Sequence, residues 1–225
     1  MRSPIFRNLK QQDVEHLLER SVLRPLDRGA SIYLQGESAH SMFIILDGWI
    51  KTYRLSSCGS EAVVGIFSKA GCFGEETALR NANYTTGAEA VTDALVAQLD
   101  GCVLQKAIDE DLNLCLALLK GAMRQRNDLI THVEQLKSHT AAQRIADFLL
   151  TLCPDNSSTC TVVLPYDKVL IAAWLGMKPE SLSRAFRRLK GHGVTIRKNH
   201  AVIESVEELS HYAEEDPAEA WSARL

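Results

Sequence analysis

The side chains best suited to acting on another molecule cluster late in the chain, in the run Lys178-Pro179-Glu180-Ser181-Leu182-Ser183-Arg184-Ala185-Phe186-Arg187-Arg188-Leu189-Lys190. At helical spacing Leu182, Ala185, Phe186 and Leu189 form a stripe to be buried. Glu180, Ser181, Ser183, Arg184, Arg187 and Arg188 then fall on the opposite face. An arginine so placed can donate two hydrogen bonds to guanine O6 and N7, and a glutamate can accept one from cytosine N4. The chemistry is recognition rather than bond breaking. Glu180, Ser183 and Arg184 are the candidate base readers of double-stranded DNA. Ser181, Arg187, Arg188, Arg197 and Lys198 are the candidate phosphate contacts.

The flanking segments have the composition needed to hold that face out. Upstream, Asp167-Lys168-Val169-Leu170-Ile171-Ala172-Ala173-Trp174-Leu175 predicts a first helix with Val169, Ala172, Ala173 and Leu175 toward a core. Gly176 permits the positive φ of a tight turn, and Pro179 suits the first turn of the second helix. This is the order of a helix-turn-helix, whose second helix enters the major groove by its N-terminal end. Downstream, Gly191-His192-Gly193-Val194 leads into Thr195 to Ile203, a hairpin-like wing with a basic tip. From Lys178 to Lys198 there are seven basic residues and one acidic residue, whereas the whole chain carries a net charge of −3. The basic density that DNA binding needs is therefore local. Each feature alone also suits a solvated helix face; their order together does not.

Earlier in the chain the texture is different. From about residue 22 to 100, short apolar runs alternate with glycine-bearing turns: Ser31–Leu34, Ser41–Leu46, Trp49–Leu55 and Ala62–Phe67. Asp47-Gly48 reads as a hairpin turn between two of them, and the regular spacing predicts a sandwich or jelly roll. Residues 5–20 predict a short helix with Ile5, Leu9, Val14, Leu17 and Leu18 on one face. From 103 to 137 the period is helical and no proline intervenes. Leu112, Leu116, Leu119, Met123, Arg126, Ile130, Val133 and Lys137 alternate steps of four and three, as in a coiled-coil seam. The seam serves either an ordinary core helix or a parallel homodimer. The dimer is preferred because the apolar spacing outlasts the polar composition around it. Ala141–Leu150 predicts a further helix, Thr161–Leu164 a strand, and Glu204–Leu225 a helix fragment with a frayed tail.

The fold expected is α+β: residues 1–102 a jelly-roll sensor, 103–137 a long dimerisation helix, and 138–225 a winged helix-turn-helix. Six cysteines, at 58, 72, 102, 115, 153 and 160, contain no CxxC pair. They read as reduced thiols packed as small hydrophobes rather than as a disulfide scaffold or a zinc or iron–sulfur site. No apolar run approaches the roughly 20 residues that span a bilayer. Met1-Arg2-Ser3-Pro4-Ile5 lacks a signal peptide's apolar stretch, so the cytoplasm is expected. With no Walker loop, no metal-spaced His/Glu cluster and no nucleophile elbow, the chain is not expected to be an enzyme.

From about Phe6 to Glu208 the chain resembles the CRP/FNR superfamily of bacterial transcription regulators. Glu180, Ser183 and Arg184 stand in the E-x-x-S-R pattern of its FNR-type branch, which implies TTGAT-like half-sites in a palindrome, a homodimer, and RNA polymerase as a partner. In the cyclic-nucleotide binders of the superfamily, a Gly-Glu pair precedes by some ten residues an arginine that clamps the phosphate. Here Gly74 and Glu75 are followed by Asn83-Tyr84-Thr85-Thr86-Gly87, with Tyr84 in the arginine's place. Gly74, Glu75, Tyr84 and Thr85 thus mark an effector pocket in which cyclic AMP would lack its main charge partner. No cysteine precedes Cys58, so the N-terminal iron–sulfur cluster of oxygen-sensing relatives is not expected either. The tract around Phe73-Gly74-Glu75-Glu76 and Ala88-Glu89-Ala90-Val91 is similar to the DNR/NnrR-type regulators. That likeness implies haem and nitric oxide as signals, with His16, His40 and His132 as candidate axial ligands. Two rivals stand beside this reading. One is an effector-independent or cysteine-redox-controlled regulator of the same fold. The other is a cyclic-nucleotide-binding regulatory subunit that does not touch DNA, which would leave the basic helix without a purpose.

Overall fold

The run Met42-Phe43-Ile44-Ile45 is buried along its whole length because both faces of its strand are covered, as the continuous apolar composition requires. The computed structural model describes residues 18–154, 157–164 and 168–215, with Gln125 described by its backbone alone. They fall into two units that meet in sequence at Asp128–Leu129. Of the helix expected over 5–20, all but the end lies outside the described residues.

The first unit holds strands β1 (Val22–Leu26), β2 (Ser31–Tyr33), β3 (Ser41–Asp47), β4 (Ile50–Leu55), β5 (Glu61–Phe67), β6 (Cys72–Phe73), β7 (Gly87–Ala90) and β8 (Ala94–Asp100). They form two antiparallel four-stranded sheets, in the orders β1-β8-β3-β6 and β2-β7-β4-β5. Strand alternation sends Phe43, Ile45 and Val96 into the core between the sheets, with Tyr33, Ile50, Phe73 and Tyr84. Met42, Ile44, Ala97 and Leu99 point the other way, under Leu104, Ala107, Leu114, Ala117 and Leu118. The expected β-roll is present, but Asp47-Gly48 is not a hairpin turn. Strands β3 and β4 lie in different sheets, and the dipeptide is the corner where the chain crosses between them. Gly48 has φ 84°, and a Cβ there would sit 2.7 Å from that of Ala94. The glycine is thus required by a close tertiary approach as well as by its dihedral angle. The hairpin that does form joins β4 to β5 through Ser56–Ser60.

Between β6 and β7 lies the short helix α1 (Glu75–Arg80). The single helix expected over 103–137 is two: α2 (Gly101–Glu110) and α3 (Leu112–Ser138), divided at Asp111. Asp111 takes extended dihedrals, φ −133° and ψ 105°, which end α2. Its carboxylate accepts from the Asn113 backbone N–H at 2.8 Å, satisfying a donor at the start of α3. The apolar period runs straight through, so the break was invisible to periodicity; the acidic residue preceding Leu112 was the available signal. Helix α3, about 40 Å long at 1.5 Å per residue, buries Leu114, Ala117 and Leu118. Its other side leaves Leu112, Leu116, Leu119, Met123, Leu129, Ile130, Val133 and Leu136 between 40% and 72% exposed.

The second unit holds helices α4 (Ala141–Leu152), α5 (Lys168–Trp174), α6 (Pro179–Leu189) and α7 (Val206–Glu214). Beside them lies a three-stranded sheet, β10 (Val194–Arg197), β11 (His200–Ile203) and β9 (Cys160–Val163) in that spatial order. Thr140 and Gln143 make a reciprocal capping box at the start of α4. Gln143 also donates from Nε2 to the Glu215 carbonyl at 2.6 Å, tying the end of α7 to that cap. One core unites Ile145, Leu149, Ile171, Leu182, Leu189, Ile203 and Leu209.

Candidate nucleic-acid interface and effector cavity

Helix α6 is held by Leu182, Ala185, Phe186 and Leu189, all buried, and this is the stripe expected from the sequence. Pro179 occupies the first turn and Gly176 has φ 60°. The first helix differs in detail. Val169 and Ala173 are exposed, and the buried face is Leu170, Ile171, Ala172 and Leu175. Val169 and Ala173 are four residues apart and share one helix face, so the expected stripe is rotated by about one residue, while Leu175, in the turn after α5, is buried as expected.

The rest of α6 is open. Glu180, Ser183, Arg184, Arg187 and Arg188 are exposed and Ser181 is half-buried. Glu180, Ser183 and Arg184 lie within the first two turns, where a major-groove helix meets base edges. Among the described residues none of the three arginines is held in an ion pair, so each is available to an external anion. The wing is the antiparallel pair β10 and β11 with Arg197 opposite His200. At its tip Lys198 takes a φ of 53°, and Arg197 and Lys198 are exposed. The eight residues read as DNA contacts therefore all lie in one unit, five along α6 beside Ser181 and two at the wing tip.

In the first unit Gly74, Glu75, Tyr84 and Thr85 line one cavity of about 250 Å³. Periodicity did not single out Tyr33, Thr52, Phe73, Thr77 or Thr86, which line it too. Their common signal is that β2, β4 and the residues either side of α1 converge there, which is a property of the sheet order. Tyr84 stacks on Tyr33 with ring centroids 3.6 Å apart and planes at 9°. Its hydroxyl donates to the Ser41 carbonyl at 2.6 Å, so the ring is held from both ends. Burial raises the pKa of both tyrosines, keeping them protonated donors. Glu76 is paired with Arg80 at 3.0 Å on the exposed side of α1.

Among the described residues lining the cavity there is no lysine, arginine or histidine. A phosphate would enter with carboxylates nearby and no cation to meet it. Nor does the cavity fit haem: it offers no histidine and lies below the roughly 300–1,000 Å³ common for ligand pockets. Of the candidate axial ligands, His16 lies outside the described residues. His40 is exposed before β3, and His132 stacks on Trp174 in the second unit. No group of three or more His, Cys, Asp or Glu suited to a metal ion occurs among the described residues. The six thiols are free. Among the described residues no helix is long and apolar enough to cross a membrane.

Comparison with known proteins follows the same division. Residues 23–111 match the cyclic nucleotide-binding domain family, and residues 143–212 match the Crp-like helix-turn-helix domain family. A solved structure from Ruegeria pomeroyi DSS-3, assigned provisionally as a cyclic nucleotide binding protein, is 46% identical with a TM-score of 0.74 and 95% coverage of both chains. The nitrogen fixation regulation protein FixK of Rhizobium meliloti (strain 1021) is 28% identical over 176 residues, 78% of this chain and 79% of its own. The transcriptional activator protein FnrA of Stutzerimonas stutzeri is 27% identical over 203 residues, 85% of this chain and 79% of its own.

Proposed function

The chain belongs to the Crp/FNR family of transcription regulators, a family without enzymatic activity, and on that premise we propose that it binds a TTGAT-like DNA palindrome as a homodimer. The observation that carries this reading is the open face of α6. Glu180, Ser183 and Arg184 stand free in the turns that enter a major groove, with Arg187, Arg188, Arg197 and Lys198 placed behind them for phosphate. A homodimer follows from α3, whose exposed side is a row of large apolar residues that a second copy of the same helix would cover. Two recognition helices related by a two-fold axis then meet half-sites about one turn, roughly 34 Å, apart. By the same family reading its place of action is the cytoplasm and RNA polymerase is its protein partner.

The signal is a small effector lacking phosphate, or a redox change, and not cyclic AMP. Support comes from the cavity, where Tyr84 stacks on Tyr33 in the arginine's place and no cation lines the walls. Nitric oxide acting through haem would need a ligand from outside this cavity, so anaerobic absorption spectra with and without haem decide that version.

Fluorescence anisotropy on a TTGAT palindrome, single-base variants and an unrelated duplex tests the function directly. Preference for the palindrome is expected, by about 10³-fold or more over unrelated sequence. Equal affinity for all duplexes, under every effector and redox condition applied, would overturn it. Calorimetry with millimolar cyclic AMP should give no saturable heat; a micromolar dissociation constant would refute the argument from Tyr84.

A further inference from the structure

Three consecutive residues at the end of the first helix of the helix-turn-helix, Trp174, Leu175 and Gly176, are each gripped by a side chain from outside that motif. The His132 ring stacks on the Trp174 indole with centroids 4.5 Å apart and planes at 12°. Arg144 Nη1 donates to the Leu175 carbonyl at 2.6 Å and to the Gly176 carbonyl at 3.4 Å. Leu136 closes on Gly176: a Cβ at that glycine would lie 2.9 Å from Leu136 Cδ2. His132 and Leu136 are four residues apart and so share one face of the last turns of α3. Arg144 comes from the first turn of α4.

We propose that His132, Leu136 and Arg144 are positioning residues that lock the turn of the helix-turn-helix to the last turns of α3, residues 129–138, and so fix the direction of α6 against that helix end. The inference rests on the DNA-binding reading and adds to it how the reading face is aimed. The physics of each contact favours rigidity over mere packing. A guanidinium spanning two adjacent carbonyls at a helix C-terminus is a charge-assisted, oriented bond favoured by the helix dipole. The Arg144 Nε is buried and hydrogen-bonds no described residue, so the guanidinium is oriented through its contact with the turn. A stacked ring pair fixes rotation about the α3 axis, which a single aliphatic contact would not. Gly176, at φ 60° and without a side chain, lets Leu136 reach the backbone itself. Because residues 175–178 connect directly to α6, a turn that cannot slide on α3 carries α6 with it. Leu136 is also 40% exposed on the apolar row of α3, which places the lock beside the surface that a second copy would cover.

The test uses the full chain carrying 5-fluorotryptophan, with the Trp174 resonance assigned by Trp174→Phe. Arg144→Met removes the donors and keeps the stem; His132→Leu removes the stacked ring; Arg144→Lys keeps the charge but can satisfy fewer acceptors. The expected result for Arg144→Met and His132→Leu is a broadened or split Trp174 line. Specific DNA affinity should fall about tenfold, as for loss of one charge-assisted hydrogen bond, while non-specific affinity, dimer mass and melting temperature change little. Arg144→Lys should recover part of both readouts. An unshifted, sharp Trp174 line with an unchanged specific-to-non-specific ratio would overturn the lock. Equal losses on all duplexes accompanying a lower melting temperature would reduce these residues to ordinary packing and also overturn it. If the parent protein shows no palindrome preference, the DNA-binding reading fails instead, and the Trp174 line alone then judges the lock.

Discussion

At the scale of single residues, the proposed function makes position along α6 the difference between side chains that specify and side chains that hold. Arg184 lies in the first two turns of α6, the part proposed to enter the groove, whereas Lys198 sits at the wing tip. Arg184→Ala should cost about 1–3 kcal/mol at the palindrome and relax the preference at its guanine. Lys198→Ala should weaken all duplexes alike and lower the salt slope by about one. Anisotropy across a salt series distinguishes the two, and equal losses on matched and mismatched duplexes would remove Arg184 from the base readers. The thiols divide just as sharply. Cys58 is exposed on the β4–β5 turn, where hydrogen bonds from Ser56 and Ser60 bring its pKa down to about 7. Burial beside Cys160 pushes Cys153 up to about 12. The reactive thiolate therefore forms at Cys58 as pH rises through about 7, while Cys153 stays protonated. Iodoacetamide mapping over a pH series should show Cys58 modified first, with a midpoint near 7. A midpoint near the ordinary thiol value of about 8.5 would contradict the role of the serines.

At the scale of elements, the corner at Gly48 shows what a local motif leaves open. Asp-Gly between two apolar runs has the composition of a two-residue hairpin, and both flanking strands form where expected. Yet they join different sheets, because β3 is taken by β8 and β6 while β4 is taken by β7 and β5. The distinction is measurable by comparing two glycines. Gly48 and Gly59 have nearly the same φ, 84° and 80°, but a Cβ at Gly59 meets nothing within 4 Å whereas one at Gly48 meets Asp93 and Ala94. Gly59→Ala should cost about 1 kcal/mol, the backbone cost alone. Gly48→Ala should cost about 3 kcal/mol, with the overpacking added. Urea unfolding of the two variants gives the comparison, and equal midpoints would mean that the corner yields freely.

At the scale of the whole molecule, the apolar row on α3 is the feature that a single chain leaves unresolved. Eight large side chains from Leu112 to Leu136 stand exposed on it, while Arg126 and Lys137, which interrupt the expected seam, are exposed too. Covering the row with a second copy removes that area from water and sets the spacing of two recognition helices at once. Ile130→Lys places a charge in the C-terminal half of the row, at a cost of several kcal/mol if it is buried and unpaired. Sedimentation should then find monomer, with specific DNA affinity lost and residual non-specific binding kept. A variant that remains fully dimeric would move the interface elsewhere.

Local period alone was enough to specify most of the strands and helices and the open face of α6. The stripe Leu182, Ala185, Phe186 and Leu189 is one continuous local period, and burying it forces Glu180, Ser183 and Arg184 outward whatever surrounds the helix. The β-strands and the wing were legible for the same reason, since each depends on neighbours within a few residues, whereas the departure at Tyr84 was legible only by comparison with the family's Gly-Glu and arginine pattern. Contacts between distant segments were not. Asp111 breaks the long helix because an extended residue with a capping carboxylate overrides an unbroken apolar period. Val169 and Ala173, four residues apart, share the face of α5 turned to solvent, because the core contacts its Leu170–Ile171–Ala172 side instead. Only the tertiary structure set Tyr84 against Tyr33, 51 positions away, and Arg144 against Leu175 and Gly176, about 30 positions away. Such pairings are chosen by sheet order and helix packing, where free energy is gained between segments and leaves no period in either one.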